Sequence, residues 1–116
     1  MIRSILAATT GALLFATLYA RPALGEDCGK DAQECAAYHL SRQEYAQAIP
    51  HLERTLAASP GNVKVMNLLG ISLTATGQVE KANLQFKKAL GIQPDFYPAE
   101  KNLAVNEFNL GNRSEA

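Results

Sequence analysis

The 116-residue sequence lacks most of the features that mark an enzyme, a nucleic-acid-binding protein or a cofactor carrier. It has only two cysteines, and the Cys-x-x-Cys-His arrangement that attaches a c-type haem is absent. The 11 basic and 11 acidic residues balance, so nucleic-acid binding has no electrostatic support. No catalytic order of Ser, His and Asp and no glycine-rich phosphate loop occurs. The sequence therefore predicts a protein that is not an enzyme and needs no cofactor.

Long apolar runs are also scarce, and the one at the N-terminus is too short to span a membrane. It covers residues 5–18, about 14 residues against the roughly 20 of a spanning helix, and Arg21-Pro22 interrupts it. Arg3 precedes the run, and Ala23-Leu24-Gly25 follows it as a small-residue cleavage site. We expect a secretory signal peptide over residues 1–25 and a mature domain over residues 26–116, periplasmic or secreted from a bacterium. A membrane anchor is the alternative.

What the chain does contain is a set of small and apolar residues that return every 34 residues. Small residues at a shared position indicate close contact between helices, because a larger side chain would overpack that contact. Glycine accepts the left-handed conformation that ends a helix, and the residue before a proline leaves the helical region. Each copy therefore predicts a helix, a tight turn, a second helix and a stop. The shared positions are Cys35, Leu69 and Leu103; Ala36, Gly70 and Ala104; Gln43, Gly77 and Gly111; Ala48, Ala82 and Ala116; Leu52 and Phe86; Leu56 and Leu90; Pro60 and Pro94.

The best-formed copy has Leu69-Gly70 early, Ala82 and Phe86 in the middle and Pro94 at its end, and it resembles the tetratricopeptide repeat. The resemblance implies an all-α fold, a right-handed solenoid of antiparallel helix pairs with about two and a half repeats. Those repeats cover residues 29–62, 63–96 and 97–116. The predicted helices span 30–40, 44–58, 63–76 and 78–91, Asn62 caps the third of them, and a third pair begins after Pro94.

The two cysteines, Cys28 and Cys35, are predicted to form a disulfide, because an even number of cysteines in an exported chain favours pairing. Seven residues of continuous helix rise about 10.5 Å, beyond the roughly 7 Å limit between bridged Cα atoms, so Cys28 must lie in a turn. Cys35 is alternatively a plain core residue, since leucine takes its position in the later copies. A zinc site with His39 and His51 is the weaker alternative, because the spacing fits no compact zinc motif.

The family resemblance implies binding of a protein or peptide partner in a concave groove lined by the first helix of each pair. An apolar floor, amides and one lysine from each first helix would suit a partner with apolar side chains and an acidic group or free carboxylate. The pattern by which related domains grip chaperone tails is absent, because Gln33, Ala37 and Leu68 occupy its places. The predicted groove residues are Lys30, Gln33, Ala37, Leu40, Lys64, Asn67, Ile71, Thr74, Lys101, Val105 and Phe108.

The third pair lacks most of its second helix, which leaves an apolar face without a neighbour. Terminal repeats of a solenoid need a polar outer face. We therefore expect either a longer array of which this is a part, or docking of the face on a partner or a second copy. A structural oligomerisation module, or the non-catalytic part of a larger protein or enzyme, is the alternative to an adaptor or scaffold.

The export prediction is tested by placing a charge in the apolar run. Leu13→Arg or Leu14→Arg should remove the protein from the extracytoplasmic fraction, because a charge weakens the apolar segment of a signal peptide. Fractionation and immunoblotting measure this, and Leu13→Ile serves as the matched control. Unchanged export of the arginine variants would contradict a signal peptide.

Overall fold

The computed structural model describes Cys28 and residues 31–115, with side chains described as far as Asn112. The predicted signal peptide lies outside these residues. Five α-helices and no strand occur in the described part of the chain, which confirms the all-α class. The first four predicted helices begin and end within two residues of the observed bounds. The helices are α1 (Ala32–Ser41), α2 (Tyr45–Ala58), α3 (Val63–Ala75), α4 (Val79–Ile92) and α5 (Tyr97–Glu115).

Successive helices pack on each other, so that α1 and α2 form one pair and α3 and α4 the next. The third helix also contacts α2, and α5 contacts both α4 and α3. No helix of the described residues is long and apolar enough to cross a membrane. The observed order is therefore that of a stack of helix pairs in which each element rests on its neighbours in sequence.

The small residues that the sequence predicts for close helix contacts are buried in the first two helix pairs. Ala48 and Ala82 are 0% exposed, and Gly70 is buried against the ring of Phe86. A Cβ atom on Gly70 would lie 2.6 Å from Cζ and 2.8 Å from Cδ1 of that ring, inside van der Waals contact. Phe86 is itself 0% exposed. Because Gly70 has no side chain, the ring of Phe86, the largest buried side chain of the core, fits against its backbone.

In both turns within the helix pairs, a residue just after the end of the first helix has a left-handed backbone conformation. Gly77 has φ 84°, and the N–H groups of Gly77 and Gln78 donate to the carbonyls of Thr74 and Leu73. This is the Schellman arrangement that glycine favours. Gln43, at the shared position one copy earlier, has φ 59° and the same two hydrogen bonds from its own turn. A residue with a Cβ atom, such as Gln43, is strained in this left-handed backbone conformation.

Side-chain caps fix the starts of two first helices. Asn62 Oδ1 accepts from the Val65 N–H at 3.2 Å, which confirms the predicted cap. Asp31 Oδ1 accepts from the Glu34 N–H at 2.9 Å in the same way at the start of α1. Each cap satisfies one of the amide groups that a helix start leaves unpaired. Pro50 lies inside α2, which continues past it.

The third pair departs from the prediction at its turn. Gly111 was expected to end the first helix of that pair, but α5 continues through it. Ala104 was expected in a close helix contact, yet it is exposed. Both differences have one cause. The described chain has no second helix to pack on this side of α5, and nothing lies within 4 Å of a Cβ atom built on Gly111.

The contact at Gly70 is tested by Gly70→Ala. We expect a loss of about 1 to 3 kcal/mol in the free energy of unfolding, because the new methyl group overlaps the Phe86 ring. Urea denaturation measures it. Gly91→Ala is the control within a helix, where a Cβ atom meets nothing within 4 Å and alanine favours the helix. Equal effects of the two substitutions would contradict the close contact.

The strained turn residue is tested by Gln43→Gly. This change should raise the free energy of unfolding by up to about 1 kcal/mol, because it removes the cost of a left-handed backbone at a residue with a Cβ atom. Thermal and chemical denaturation measure the effect. Gly77→Ala, at the matching position of the next pair, should lower stability instead. A destabilised Gln43→Gly protein would be inconsistent with this reading of the turn.

Candidate functional site

A depression of about 290 Å³ lies between α1 and α3 on the side lined by first helices. Four predicted groove residues contribute to it: Gln33, Ala37, Leu40 and Lys64. Leu68, one turn after Lys64 on the same helix, also lines this depression and is exposed. The surface combines apolar side chains with an amide and a lysine at its edge. It contains more of the predicted groove residues than any other depression described on this side.

A second depression on this side, of about 250 Å³, lies between α3 and α5. Ile71, Thr74 and Val105 line it, as predicted. Val105 is exposed, while Ile71 packs partly against the core. The two depressions share α3 as a wall. The structure therefore brings together seven of the eleven predicted residues, in two neighbouring sites.

Asparagines that sequence reasoning missed hold α5 against this side of the molecule. Asn102 Nδ2 donates to Asn67 Oδ1 at 3.0 Å. Asn106 Nδ2 lies 2.9 Å from both Thr74 Oγ1 and Asn83 Oδ1 and is placed to donate to each. Asn106 is 4% exposed. The spacing of four residues between Asn102 and Asn106 was the available signal, because it puts both amides on one helix face.

This network changes the role of one predicted groove residue. Asn67 was expected to offer its amide to a partner, but it is 9% exposed and its oxygen already accepts from Asn102. Thr74 is likewise bonded by Asn106 while still lining the second depression. Asn67 thus helps to hold α5 in position, and its side chain is buried.

Three predicted groove residues lie elsewhere or outside the described chain. Lys101 and Phe108 are exposed on α5 but line neither depression, and Phe108 is 68% exposed. Lys30 lies outside the described residues. Of the lysines expected from the first helices, the described residues include Lys64 on α3 and Lys101 on α5, and both are exposed.

The N-terminal end of the stack is fixed by the predicted disulfide. Cys28 and Cys35 are bonded, with their Cα atoms 5.7 Å apart, and Cys28 precedes α1 as the geometry required. The bond also removes the zinc alternative, because it leaves neither thiolate free to coordinate. No cluster of three or more His, Cys, Asp or Glu suited to a metal occurs among the described residues.

Two histidines stack beside this disulfide, behind the turn between α1 and α2. The rings of His39 and His51 have centroids 5.5 Å apart and are inclined by 13°. His51 is buried, and His39 Nδ1 lies 3.3 Å from Glu44 Oε2. The Arg42 side chain hydrogen-bonds the same carboxylate and lowers the pKa of Glu44 below its ordinary value, with His39 adding to the effect and burial opposing it. The two imidazole rings therefore pack against each other between α1 and α2.

Comparison with known proteins agrees with this geometry. The model of the tetratricopeptide repeat matches residues 39–84. The peroxisomal targeting signal receptor of Kluyveromyces lactis is 32% identical over 76 residues, and that of Candida glabrata is 32% identical over 87 residues. These alignments cover 66% and 74% of this chain but only 13% and 15% of the receptors. The BBSome complex member BBS4 of Xenopus tropicalis is 30% identical over 78 residues, 67% of this chain and 15% of that protein.

Solved structures of MamA share the fold. A mutant of MamA superposes with a TM-score of 0.65 at 28% identity, covering 72% of this chain and 61% of that one. A second MamA structure gives 0.65 at 29% identity over 73% of this chain and 49% of its own. The chain is therefore a helix-pair solenoid of the kind that serves protein–protein interaction. More particularly, it belongs to the tetratricopeptide repeat family.

Proposed function

We propose that the chain is an adaptor or scaffold that binds a segment of another protein along the side lined by α1, α3 and α5. The single observation that supports this most directly is the pair of adjoining depressions whose shared wall is α3. Apolar and polar side chains line both depressions, and the exposed Lys64 lines the first. The spacing of the repeats places both sites on one side of the stack.

The chemistry of this surface suggests the kind of segment it takes. Leu40, Leu68 and Ile71 offer apolar contact, and Gln33 supplies an amide that can donate or accept. Lys64 would attract a carboxylate, which gives specificity and faster association. A partner segment with alternating apolar side chains and one acidic group or free C-terminal carboxylate fits these features. Burial on the order of 1,000 Å² in total corresponds to a transient complex.

The name of one group of relatives supports the same reading. Those proteins are receptors of a peroxisomal targeting signal by name, and their alignments with this chain cover 66% and 74% of it. Because this chain spans a small part of them, the receptor activity of the whole protein is not carried over. What we propose from the likeness is recognition of a short protein segment by stacked helix pairs.

The bacterial cell envelope is the proposed location. Its support is the charged start, the apolar run and the small-residue site of residues 1–25, together with the Cys28–Cys35 disulfide. A disulfide persists in an oxidising compartment, so the proposed partner is an envelope or secreted protein. Self-association is the second candidate, and the exposed outer face of α5 favours it.

The groove is tested by Ile71→Asp combined with Lys64→Glu. The double variant should bind its partner at least about tenfold more weakly, because it puts charge into the apolar wall and reverses the lysine. Photocrosslinking from a residue at position 68 in the native host identifies the partner, and titration with that partner measures binding. Lys87→Glu, an exposed lysine of α4 outside both depressions, is the control. Unchanged crosslinks and affinity in the double variant would show that the groove assignment is wrong.

A further inference from the structure

A larger depression, of about 540 Å³, lies between the two second helices, α2 and α4. These helices pack on α3 rather than on each other, so α3 forms its floor. The floor side chains are Met66, Leu69 and Leu73. Ile49 and Leu56 form the α2 wall, and Leu84, an exposed apolar residue, stands on the α4 wall. We call this depression the second-helix groove.

Charges stand along both edges of the second-helix groove. Lys81 and Lys88 line the α4 edge, seven residues apart and therefore about 10.5 Å apart along the helix axis. Glu53 lines the α2 edge. All three are exposed, and the salt bridges recorded in the described chain do not use them. In addition, Gln85 Oε1 is buried at the groove without a hydrogen-bond partner in the described structure.

The outer face of α5 carries the opposite pattern. At 100° per residue, Tyr97, Ala104 and Phe108 fall in one stripe, facing away from the buried Asn106. Tyr97 is 67% and Phe108 68% exposed, although both are large apolar side chains. An apolar stripe of this kind on an exposed helix indicates a contact surface.

Charges flank this stripe in an order that matches the groove. Glu100 and Glu107 lie on one side of the stripe and, like the two groove lysines, are seven residues apart. Lys101 lies on the other side. All three are exposed and take no part in the recorded salt bridges of the described residues. Two acids on one flank and a base on the other complement two bases on one edge and an acid on the other.

The repeat spacing shows that this face differs from the inside of a further repeat. Glu100 and Glu107 stand 34 residues after Met66 and Leu73, which are buried core residues of α3. The fifth helix therefore has carboxylates where α3 has apolar side chains against its own second helices. A surface edged with lysines accommodates such a face, whereas the apolar side of another second helix does not.

We propose that α5 of one copy of this chain packs into the second-helix groove of another copy. The stripe of Tyr97, Ala104 and Phe108 covers the apolar floor, and the two glutamates pair with the two lysines. Lys101 pairs with Glu53 across the other edge. Since the two surfaces differ, the contact is heterologous: each copy offers both, and copies add head to tail into rings or open chains.

The test uses two charge-reversed proteins. One carries Lys81→Glu with Lys88→Glu and loses the groove lysines; the other carries Glu100→Lys with Glu107→Lys. Sedimentation velocity over a wide concentration range should show concentration-dependent association of the unaltered chain, weaker at high salt because rim charges are screened. Each variant alone should associate at least about a hundredfold more weakly, because like charges then face each other.

Mixing the two variants separates this proposal from simple loss of folding. The reversed α5 face of one variant meets the reversed groove of the other, and the remaining unaltered surfaces also match, so association should return in the mixture. Circular dichroism should show unchanged helix content in each variant, since all four residues are exposed. The control, Lys87→Glu, reverses an exposed lysine of α4 that does not line the second-helix groove, and it should associate as the unaltered chain does.

Three results would overturn the proposal. They are a monomeric unaltered chain at every concentration, charge-reversed variants that associate as strongly as the unaltered chain, and a mixture that remains monomeric. The second result would show that copies associate through a different contact. The third would show that the reversed charges do not face each other across the contact.

Discussion

The fit of the Phe86 ring into the space left by Gly70 is the contact on which the stack depends. It sets how closely α3 and α4 approach, and these two helices occupy the middle of the structure. A protein interior is packed densely enough that a single methyl group changes such an approach. The helix α3 in turn contributes to each surface feature described above. It is the floor of the second-helix groove, the shared wall of the first-helix depressions and the anchor of α5 through Asn67.

Much of the fold could be predicted because residues that pack in the same way recur 34 positions later along the chain. The small residues at Ala48 and Ala82, the turn at Gly77 and the cap at Asn62 all follow from local chemistry, and the structure confirms them. The disulfide was predicted from the even number of cysteines, and the rise of a helix required Cys28 to lie outside the helix that carries Cys35, as observed. Local rules suffice where each residue's neighbours belong to the same or the adjacent copy.

The predictions that were wrong for the third pair had assumed that a second helix packs on α5. Gly111 and Ala104 match their shared positions in type, but their roles in earlier copies are created by a second helix packing on the first. Without that helix in the described chain, glycine continues a helix and alanine stays exposed. The asparagine contacts were missed for a related reason. Asn106 and Asn83 are 23 residues apart, a distance that differs from the repeat period, so periodicity did not bring them together.

Both apolar and polar contacts hold the fifth helix on the stack. Ala99 and Leu103 of α5 pack in the apolar core, and amide hydrogen bonds to Asn67, Thr74 and Asn83 orient the helix. Hydrogen bonds are directional, so this arrangement fixes the rotation of α5 about its axis. That rotation turns Val105 toward the first-helix side and Phe108 outward. One helix therefore serves two surfaces of different chemistry.

The repeated packing positions of the α3–α4 pair also bear on how an array of repeats can lengthen in evolution. Residues 63–96 bury Ala82 and Phe86 at the positions where the preceding pair buries Ala48 and Leu52. A tandem duplication of this unit within a gene would therefore lengthen the array without a newly invented interior. Because repeat stability adds through nearest-neighbour terms, each added unit would bring its own stabilisation. Selection could then act on the length of the binding face separately from the packing beneath it.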